Sequence, residues 1–577
     1  MKRPIIQKLN RLIEKNAISM HVPGHKNMTI GYLNRLDLAM DMTEITGLDD
    51  MHYPEGIILE SMENFRKHKN YDAFLLVNGT TSGILSVIQA FSTRKGKYLI
   101  SRNVHKSVFH GLDITQQQAT ITKTDISKKT NQYVKPKIIQ DKNQYYKLAI
   151  CTYPNYYGET FEISQYIKQL HHRGVPILVD EAHGAHFGLD GFPESSMNFN
   201  ADYVVQSYHK TLPALTMGSV LYIHKDAPLR QQVIDYLTYF QTSSPSYLIM
   251  SSLELANKFY KEYDSTLFDQ RRKMLIDLLI NIGFTVIEPE DPLKLVVSFE
   301  GVAGYDVQKW FEDKEIYVEL ADMYQVLLVL PLWHEGDKFP FKLLIEKIRE
   351  IKSPEEIAKI KYAAKIVDDT YNYILNIAKV GMTERELKAL LESKMLELGA
   401  DGPSFDTIVA SGYRGALPHG VASDKVIEKG DMITLDFGAY YRGYCSDITR
   451  TFAIGEPDKK LKEIYNIVLQ SQIKAIEEIK PGMTTKEVDA LSRDYIKAHG
   501  YGNEFGHSLG HGIGLDIHEG PVLSKNTNDT VQVNNCVTIE PGIYVDGLGG
   551  VRIEDDILIT ENGCEVFTKC TKDLIIL

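Results

Sequence analysis

The spacing of apolar and polar residues in the first half of the chain predicts strands that end in polar loops. AFLLVNGTTSGILSVIQAF combines an apolar run, a small polar loop over Asn78–Gly83 and a helix with apolar residues at helical spacing. VPILVDEAHGAH predicts a buried strand that ends at Asp180, and ADYVVQSYHKTLPAL predicts a strand that delivers Ser207, His209 and Lys210 into a loop. Open α/β sheets collect their ligands at such strand ends. The pattern therefore predicts an α/β domain with a ligand site.

A new helix is predicted to begin in the segment Ser353–Glu356, which reads Ser-Pro-Glu-Glu and combines a serine cap, an early proline and a glutamate at the third helical position. Further on, KVGMTERELKALL from Lys379 and KPGMTTKEVDALS from Lys480 share one pattern. A common helix entry found twice by chance is the alternative, but the agreement extends beyond the cap into the apolar positions. We therefore predict a duplicated, pseudo-symmetric domain. The two capping boxes are Thr383 with Glu386 and Thr484 with Glu487.

Carboxylates and histidines recur among the apolar segments of the second half. DMITLDFGAYYRGYCSDITRTF places Asp436 at the end of an alternating strand and Asp447 on the next strand, after a turn that suggests a hairpin. VTIEPGIYV and GVRIEDDILI place Glu540 and Glu554 inside apolar strands. FGHSLGHGIGLDIHEG, which lies between the two pairs of acids, carries the histidines His507, His511 and His518.

Buried carboxylates need partners, because an unpaired one costs free energy or shifts its pKa. Two divalent metal ions would explain the cluster, and an oxygen-rich set with one ligating histidine favours Mn, Co or Zn over a thiolate-type zinc site. In the alternative interpretation, Asp436 and Asp447 are turn residues and Glu554 forms a salt bridge with Arg552. Each such coincidence is ordinary alone, but five candidate ligands in order favour metal binding.

Composition narrows the class of protein. A chain of 577 residues exceeds what one hydrophobic core usually organises, so at least two domains and three or four packing units are expected. The net charge of -12 disfavours nucleic acid or an anionic membrane as a partner. Five scattered cysteines without CxxC spacing predict reduced thiols and a cytoplasmic location. The N-terminal segment predicts an amphipathic helix without a signal-peptide core, and no apolar run approaches 18 residues.

The candidate chemistry of the first half is that of pyridoxal phosphate. Lys210 is the required type of residue, because only a lysine amine forms the Schiff base with this cofactor. Asp180 would stabilise a pyridinium nitrogen, and the positive helix end at Thr81-Ser82 would hold a phosphate. Lys106 is a rival for the lysine role, but it lacks the setting of a strand followed by Ser-x-His.

Five ordered motifs, HVPGHK, NGTTSG, RNVHKS, VDEAHGAH and SYHKTLPALT, resemble the fold-type I ornithine/lysine/arginine decarboxylases over residues 1–345. The resemblance implies that Lys210 forms the Schiff base, Asp180 pairs with the pyridine nitrogen and His105 stacks on the ring. It places Ala182 on the opposite face and His183 near the reacting carboxylate. It assigns the cofactor phosphate to Thr80, Thr81, Ser82, Ser207 and His209.

Two departures from this family bear on activity. Met217 stands where the family often has glutamine, which leaves the amino acid substrate open. The chain also leaves the decarboxylase pattern before the small and C-terminal regions of that family are complete. Turnover is therefore a separate question from cofactor binding.

Residues 353–577 resemble the pita-bread metallopeptidases, in the branch of Xaa-Pro aminopeptidases and prolidases. The duplicated GMT segments match the internal pseudo-symmetry of that fold. The resemblance implies that Asp447 and Glu554 bridge two metal ions, that Asp436 ligates one ion, and that His511 and Glu540 ligate the other. A bridging hydroxide would then attack the peptide carbonyl.

The same resemblance assigns the remaining polar residues. His419, His507 and His518 correspond to substrate-binding and proton-handling histidines, and Arg552 to a residue that orients the ligands. The separate N-terminal domain usual in these peptidases is replaced here by the decarboxylase-like half, so selectivity for proline follows from the resemblance alone.

The predicted layout is a fold-type I α/β half followed by an α+β pita-bread domain. The large domain covers 30–260, a partial small domain 265–345, the junction 346–353 and the peptidase domain 354–577. The leading function is a metal-dependent Xaa-Pro aminopeptidase or dipeptidase fused to a truncated decarboxylase-like domain. The alternatives are a decarboxylase with an appended peptidase domain, a non-catalytic binding protein, or the product of a fused or misassembled gene. Expected partners are proline-containing peptides, basic amino acids and further copies of the chain.

Overall fold

The computed structural model describes residues 3–15, 17–137 and 144–577. The chain separates into two compact units, residues 1–341 and residues 342–577. Among the described residues no helix combines the length and the apolar character needed to cross a bilayer. All five cysteines lie in the described residues and are free thiols, as predicted.

The helices of the first unit are α1 (Pro4–Glu14), α2 (Ile57–Asn64), α3 (Gly79–Ser92), α4 (Lys106–Ile114), α5 (Ile163–His172), α6 (Tyr208–Thr211), α7 (Arg230–Phe240), α8 (Tyr247–Glu262), α9 (Thr266–Asn281) and α10 (Gly304–Glu312). Its strands are β1 (Ile18–Met20), β2 (Tyr71–Leu76), β3 (Lys97–Ile100), β4 (Ala119–Ile121), β5 (Thr124–Ile126), β6 (Tyr133–Pro136), β7 (Tyr146–Thr152), β8 (Ile177–Asp180), β9 (Tyr203–Gln206), β10 (Ser219–His224), β11 (Thr285–Ile287), β12 (Lys294–Ser298), β13 (Ile316–Val318), β14 (Leu320–Ala321) and β15 (Val326–Val329). Helix α11 (Phe341–Glu350) spans the division between the units.

The core of the first unit is a sheet with the strand order β2-β10-β9-β8-β7-β3-β4. Strand β10 runs antiparallel to both of its neighbours, and the other pairs are parallel. Every residue of β8 and β9 is buried, which explains why their sequences are continuously apolar. A second, antiparallel sheet with the order β11-β12-β15-β14 follows later in the chain. The predicted α/β class is confirmed.

Two local predictions in this unit are wrong in detail. The segment Asn78–Gly83 is not a loop, because α3 already begins at Gly79. His209 and Lys210 do not lie in a loop either, because Tyr208–Thr211 forms the short helix α6 with Ser207 at its N-cap. Small polar residues favour a helix entry as much as a loop, so the pattern could not distinguish the two.

The helices of the second unit are α12 (Pro354–Ile377), α13 (Glu384–Glu397), α14 (Lys459–Glu478) and α15 (Thr485–Ala498). Its strands are β16 (Gly402–Pro403), β17 (Ile408–Ser411), β18 (Met432–Phe437), β19 (Ala439–Tyr441), β20 (Tyr444–Cys445), β21 (Ile448–Ala453), β22 (Gly510–Gly512), β23 (Glu519–Leu523), β24 (Cys536–Ile539), β25 (Gly542–Val545), β26 (Gly549–Arg552), β27 (Asp555–Thr560) and β28 (Gly563–Val566). The main sheets have the orders β17-β18-β21 and β23-β22-β24-β27-β28.

The duplicated GMT segments adopt the same backbone arrangement. Gly381 has φ +92° and its N–H donates to Ile427 O at 3.0 Å, while Gly482 has φ +91° and donates to Val531 O at 2.8 Å. Both following helices begin with a complete capping box, at Thr383 and Thr484. The matching hydrogen bonds support the duplication that the sequence pattern predicts.

The strands that carry the acids differ from their predicted form. Strand β18 is buried along its whole length instead of alternating, and the short hairpin β19–β20 separates it from Asp447. Glu540 and Glu554 lie between strands, after β24 and after β26, and not inside them. At both glutamates the chain passes from one sheet to another, so their backbone N–H groups donate to Leu509 O and Thr449 O instead of to a continuous ladder. Apolar neighbours on both sides hide such breaks in the sequence.

Candidate active sites

The first candidate site lies at one edge of the sheet of the first unit. Strands β8, β9 and β2 run in the same direction, so Asp180, Ser207 and the start of α3 all follow carboxyl ends of strands at that edge. The Ser207 hydroxyl lies 3.4 Å from the Thr80 hydroxyl, which joins two of the predicted phosphate ligands.

Lys210 faces a buried acid and a buried histidine. Its Nζ lies 3.1 Å from Nε2 of His183. Burial lowers the pKa of the lysine amine, while the negative charge of Asp180 raises it by a smaller amount. Asp180 is only 3% exposed, and burial raises the pKa of its carboxyl group. His183 Nδ1 is buried without a hydrogen-bond partner. A buried acid, a reactive amine and an unsatisfied imidazole fit a cofactor with a pyridinium nitrogen and an aldehyde.

The N-terminus of α3 offers backbone donors for a phosphate. Asn78 at the N-cap makes no capping hydrogen bond, because its side-chain oxygen instead accepts from Thr242 N at 3.2 Å. Ser82 is buried and its hydroxyl donates to Gly79 O at 2.8 Å, so it supports the helix turn. His209 bonds Gly218 O through Nδ1 at 3.0 Å, and Thr81 is half-buried. This helix end fits an anion.

The other predicted residues lie nearby, and two were missed. His105 is the N-cap of α4. Burial lowers the pKa of His105, and the charges of Asp180 and Lys210 also act on it. Ala182 is 7% exposed. The missed residues are Tyr156, whose ring centroid lies 4.4 Å from that of His183, and Glu319, which accepts from the Tyr156 hydroxyl. Both are far from the motifs in sequence, and no spacing pattern marks them. The rival Lys106 is exposed at the start of α4.

The second candidate site lies within the second unit. One ligand-type atom from each of Asp447, His511 and Glu554 lies within 4.8 Å of the others. Nε2 of His511 is 3.7 Å from Asp447 Oδ2 and 3.5 Å from Glu540 Oε1. His511 Nδ1 bonds Gly512 O at 3.0 Å, which leaves Nε2 as the free nitrogen turned towards the acids. The structure therefore brings four of the five predicted ligands together directly.

Asp436 joins the cluster through Arg552. The Arg552 guanidinium contacts Asp436 Oδ2, and its Nε lies 3.0 Å from the Thr449 hydroxyl. That hydroxyl in turn donates to Glu554 Oε2 at 2.6 Å. Arg552 thus links acids from both duplicated halves, and the orienting role that the resemblance implies for it stays a prediction.

The protein leaves several oxygens of these acids without a partner. One oxygen each of Asp436, Asp447 and Glu554 is buried without a hydrogen-bond partner. Burial and then the neighbouring carboxylates raise the pKa values of Asp447 and Glu554, and burial raises that of Glu540 to about 8. Unsatisfied buried oxygens around a free imidazole nitrogen fit divalent cations.

The predicted histidines surround this cluster. The rings of His518 and His511 lie with centroids 4.2 Å apart. His507 Nε2 lies 2.9 Å from the Tyr544 hydroxyl, and burial lowers the pKa of His507 to about 4. His419 is exposed, but its charge acts on His507.

Three polar residues around the cluster were missed. Tyr544 accepts from Arg552 Nη1 at 2.7 Å, and Asp556 accepts from the backbone of Asp447 at 2.9 Å. Thr449 pairs with Asp436 in the register of β18 and β21. The strand period of two, counted from Asp447, could have identified Thr449, whereas Tyr544 and Asp556 carry no comparable signal.

Comparison with known proteins divides the chain in the same way. Residues 358–561 match the model of metallopeptidase family M24, and residues 3–271 match the major domain of the Orn/Lys/Arg decarboxylases. The uncharacterized peptidase YqhT of Bacillus subtilis is 55% identical over 296 residues, which cover 51% of this chain and 82% of that protein. The Xaa-Pro dipeptidase of Pyrococcus furiosus is 51% identical over 279 residues, covering 48% of this chain and 75% of that protein.

The uncharacterized protein YaaO of Bacillus subtilis is 38% identical over 359 residues, covering 58% of this chain and 74% of that protein. The predicted combination of a decarboxylase-like half and a metallopeptidase half is confirmed. The decarboxylase family implies pyridoxal phosphate, and the peptidase family implies divalent metal ions. The chain therefore belongs to metallopeptidase family M24, with the major domain of an Orn/Lys/Arg decarboxylase preceding the peptidase span.

Proposed function

We propose that the second unit removes an N-terminal residue from Xaa-Pro peptides with two divalent ions of Mn, Co or Zn. The observation that carries the proposal is the cluster of Asp447, His511 and Glu554 with its unsatisfied buried oxygens. The Xaa-Pro dipeptidase among the relatives supports the class of substrate. The residues that would hold the ions are Asp436, Asp447, His511, Glu540 and Glu554.

The protein residues would share the work of binding and proton handling. Bound divalent ions supply Lewis-acid activation of water and of the peptide carbonyl. Arg552 holds Asp436 and Tyr544 in fixed positions. Burial raises the pKa of the Tyr544 phenol to about 12, so the phenol keeps its proton and can donate to an oxygen that gains charge. His507 is neutral and lies in hydrogen-bond contact with Tyr544, while the exposed His419 and His518 can bind the peptide.

The test is peptide cleavage by the purified chain after loading with each metal. Asp447→Asn should lower cleavage of an Xaa-Pro dipeptide by about a thousandfold or more, because it removes a negative charge from the residues that would hold the ions. The matched control is Asp494→Asn, which changes an exposed carboxylate in the same unit. Wild-type activity and metal content in a folded Asp447→Asn protein would contradict the proposal.

We propose as a second function that the first unit binds pyridoxal phosphate at Lys210, with Asp180 at the pyridine nitrogen and His105 on the ring. The close contact of Lys210 with His183 favours it. Thr80, Thr81, Ser82, Ser207 and His209 would hold the phosphate. An Orn/Lys/Arg decarboxylase activity is the reaction that the family match suggests for this site.

Incubation with pyridoxal phosphate should produce a visible absorption band, and Lys210→Ala should remove it. Borohydride reduction followed by peptide mapping should place the label on Lys210, while Lys106→Ala, at the exposed rival, should leave the band unchanged. A label on Lys106 would overturn the assignment.

A further inference from the structure

The segment Arg349–Lys352 lies upstream of the span that matches the peptidase family, which begins at residue 358. It nevertheless packs inside the second unit. Lys352 N–H donates to Asn534 O at 3.0 Å, and the Asn535 side chain donates to Glu350 O at 3.0 Å. Lys352 is 2% exposed, so the segment is part of the interior and not a loose connection.

The two cations of this segment converge on one buried acid. Lys352 Nζ lies 2.8 Å from Glu519 Oε2, and the Arg349 guanidinium contacts Glu519 Oε1. The Glu519 side chain is only 4% exposed. Arg349 also reaches Asp516 Oδ2 at 2.7 Å. A buried carboxylate with a cation at each oxygen is fixed in position, because losing either cation leaves charge uncompensated.

Glu519 anchors the loop 513–518, which carries a histidine of the peptidase site. Its Oε1 accepts from Asp516 N at 2.9 Å, inside that loop. Its backbone pairs with Gly512 across β22 and β23. His518, the residue immediately before Glu519, lies with its ring centroid 4.2 Å from that of His511. Glu519 and its two cations therefore border the loop that carries His518 close to His511.

Two glycines of the motif HGIGLDIHEG show how closely the upstream segment approaches. A Cβ on Gly514 would lie 2.7 Å from Glu519 Oε2 and 2.9 Å from Lys352 Cε. A Cβ on Gly520 would lie 2.6 Å from Glu350 Oε1. The path of the loop thus depends on side chains from the segment before the family span.

We propose that Arg349 and Lys352 are positioning residues of the peptidase reaction, which hold His518 against His511 through Glu519. The inference rests on the proposed peptidase function and extends its site to the junction segment. Because the two cations act on His518 and not on the metal ions, their loss should weaken catalysis while the metal content stays unchanged.

A double-mutant cycle tests this role in the full chain. Lys352→Met should lower kcat/KM for an Xaa-Pro dipeptide on the order of tenfold to a hundredfold, because a small misplacement of a substrate-binding group has that effect. In the His518→Ala background the same substitution should cost less than about threefold, since the group that Lys352 positions is already absent. The matched control is Lys365→Met, which removes an exposed lysine paired with Asp369 on α12. Equal losses in both backgrounds would overturn the proposal.

Hydrogen–deuterium exchange gives a readout that does not depend on activity. Lys352→Met and Arg349→Met should each accelerate exchange in the loop 513–518 by about tenfold, while β18 and the control Lys365→Met stay at the wild-type rate. Arg349 is 18% exposed, so its variant decides the question if Lys352→Met unfolds. Loop exchange at the wild-type rate, or equal acceleration in β18, would overturn the proposal. Failure of the wild-type chain to cleave any Xaa-Pro peptide contradicts the peptidase function alone, and the exchange result still decides the positioning role.

Discussion

The two candidate sites bury opposite types of ionisable group. The site of the second unit gathers four acids around one arginine and leaves carboxylate oxygens unsatisfied. The first unit buries lysines near its acid instead, since Lys26 and Lys294 are at most 1% exposed and the charge of each acts on Glu319 beside Lys210. The excess of acids in one site and of amines in the other matches ligands of opposite charge, since divalent cations are proposed for the second unit and the anionic cofactor pyridoxal phosphate for the first.

The sites also differ in how much of each lies within the matched spans. The proposed metal ligands run from Asp436 to Glu554, all inside residues 358–561. The first site places Glu319 and Lys294 near Lys210, and both lie beyond residue 271, where the decarboxylase match ends. Part of the set of charged residues around Lys210 therefore lies outside the span that matches its family.

The largest difference between the two units is expected when peptide cleavage and decarboxylation are measured on one preparation. Cleavage of an Xaa-Pro dipeptide should exceed carbon dioxide release from lysine, ornithine or arginine by about a hundredfold or more. The physical reason is that decarboxylation requires the carboxylate bond to stand perpendicular to the cofactor ring, and small misplacement costs on the order of a hundredfold. Rapid decarboxylation without peptide cleavage would reverse the ranking of the two units.

Metal binding to the second unit should release protons, in a number that depends on the pH. In the metal-free protein the pKa of Glu540 is raised to about 8, mainly by burial, so this carboxyl group holds its proton at pH 7. Because a ligand must be deprotonated, metal binding at pH 7 should release more protons than at pH 9. Calorimetry in buffers of different ionisation enthalpy measures this difference.

The same shift fixes the direction of the stability change. A carboxyl group whose pKa is raised in the folded state stabilises the fold at pH values below its pKa in the unfolded chain. This stabilisation is lost as the pH rises through the folded pKa of about 8. The metal-free second unit should therefore melt at a lower temperature at pH 9 than at pH 6. A chelator that removes the metal should leave the cofactor absorption band of the first unit in place. Equal proton release at pH 7 and pH 9 would contradict the assignment of Glu540 as a ligand.

The smallest expected effect concerns the duplicated helix entries. Thr383→Ala and Thr484→Ala should each lower the free energy of unfolding by about 1 kcal/mol, because each removes an N-cap hydrogen bond. The double variant should lose about 2 kcal/mol if the two caps act independently. Chemical denaturation of the metal-loaded chain measures these values. A large loss at one cap only would show that the two repeats are not energetically equivalent.

The elements that sequence predicted well are those with a local physical cause. The capping box at Ser353 and the two in the GMT segments form in the structure because their hydrogen bonds join residues three positions apart. Strand β8 ends at Asp180 because a buried apolar run stops at its first charged residue. The placement of the ligand acids and histidines in one cluster was inferred from their order and from a family resemblance, and the geometry agrees with it for Asp447, His511 and Glu554.

What sequence did not predict depends on contacts between distant segments. Tyr544 gains its role only because Arg552 and His507 meet at its hydroxyl. Glu540 and Glu554 read as strand residues, and their position at breaks follows from the exchange of sheets on either side. In the sequence Glu519 is not distinguished from other acids, and only the structure shows that it pairs with Arg349 and Lys352. Such long-range partners leave no periodic trace in one sequence.

The proposed metal ligands are divided between the two repeats, and this division has a consequence for the synthesis of the protein chain. Asp436 and Asp447 come from the first repeat, while His511, Glu540 and Glu554 come from the second. A growing chain cannot assemble a complete centre until residue 554 has left the ribosome, by which time both repeats can fold. The proposed metal centre therefore requires both repeats, and a fragment that ends between them would lack His511, Glu540 and Glu554.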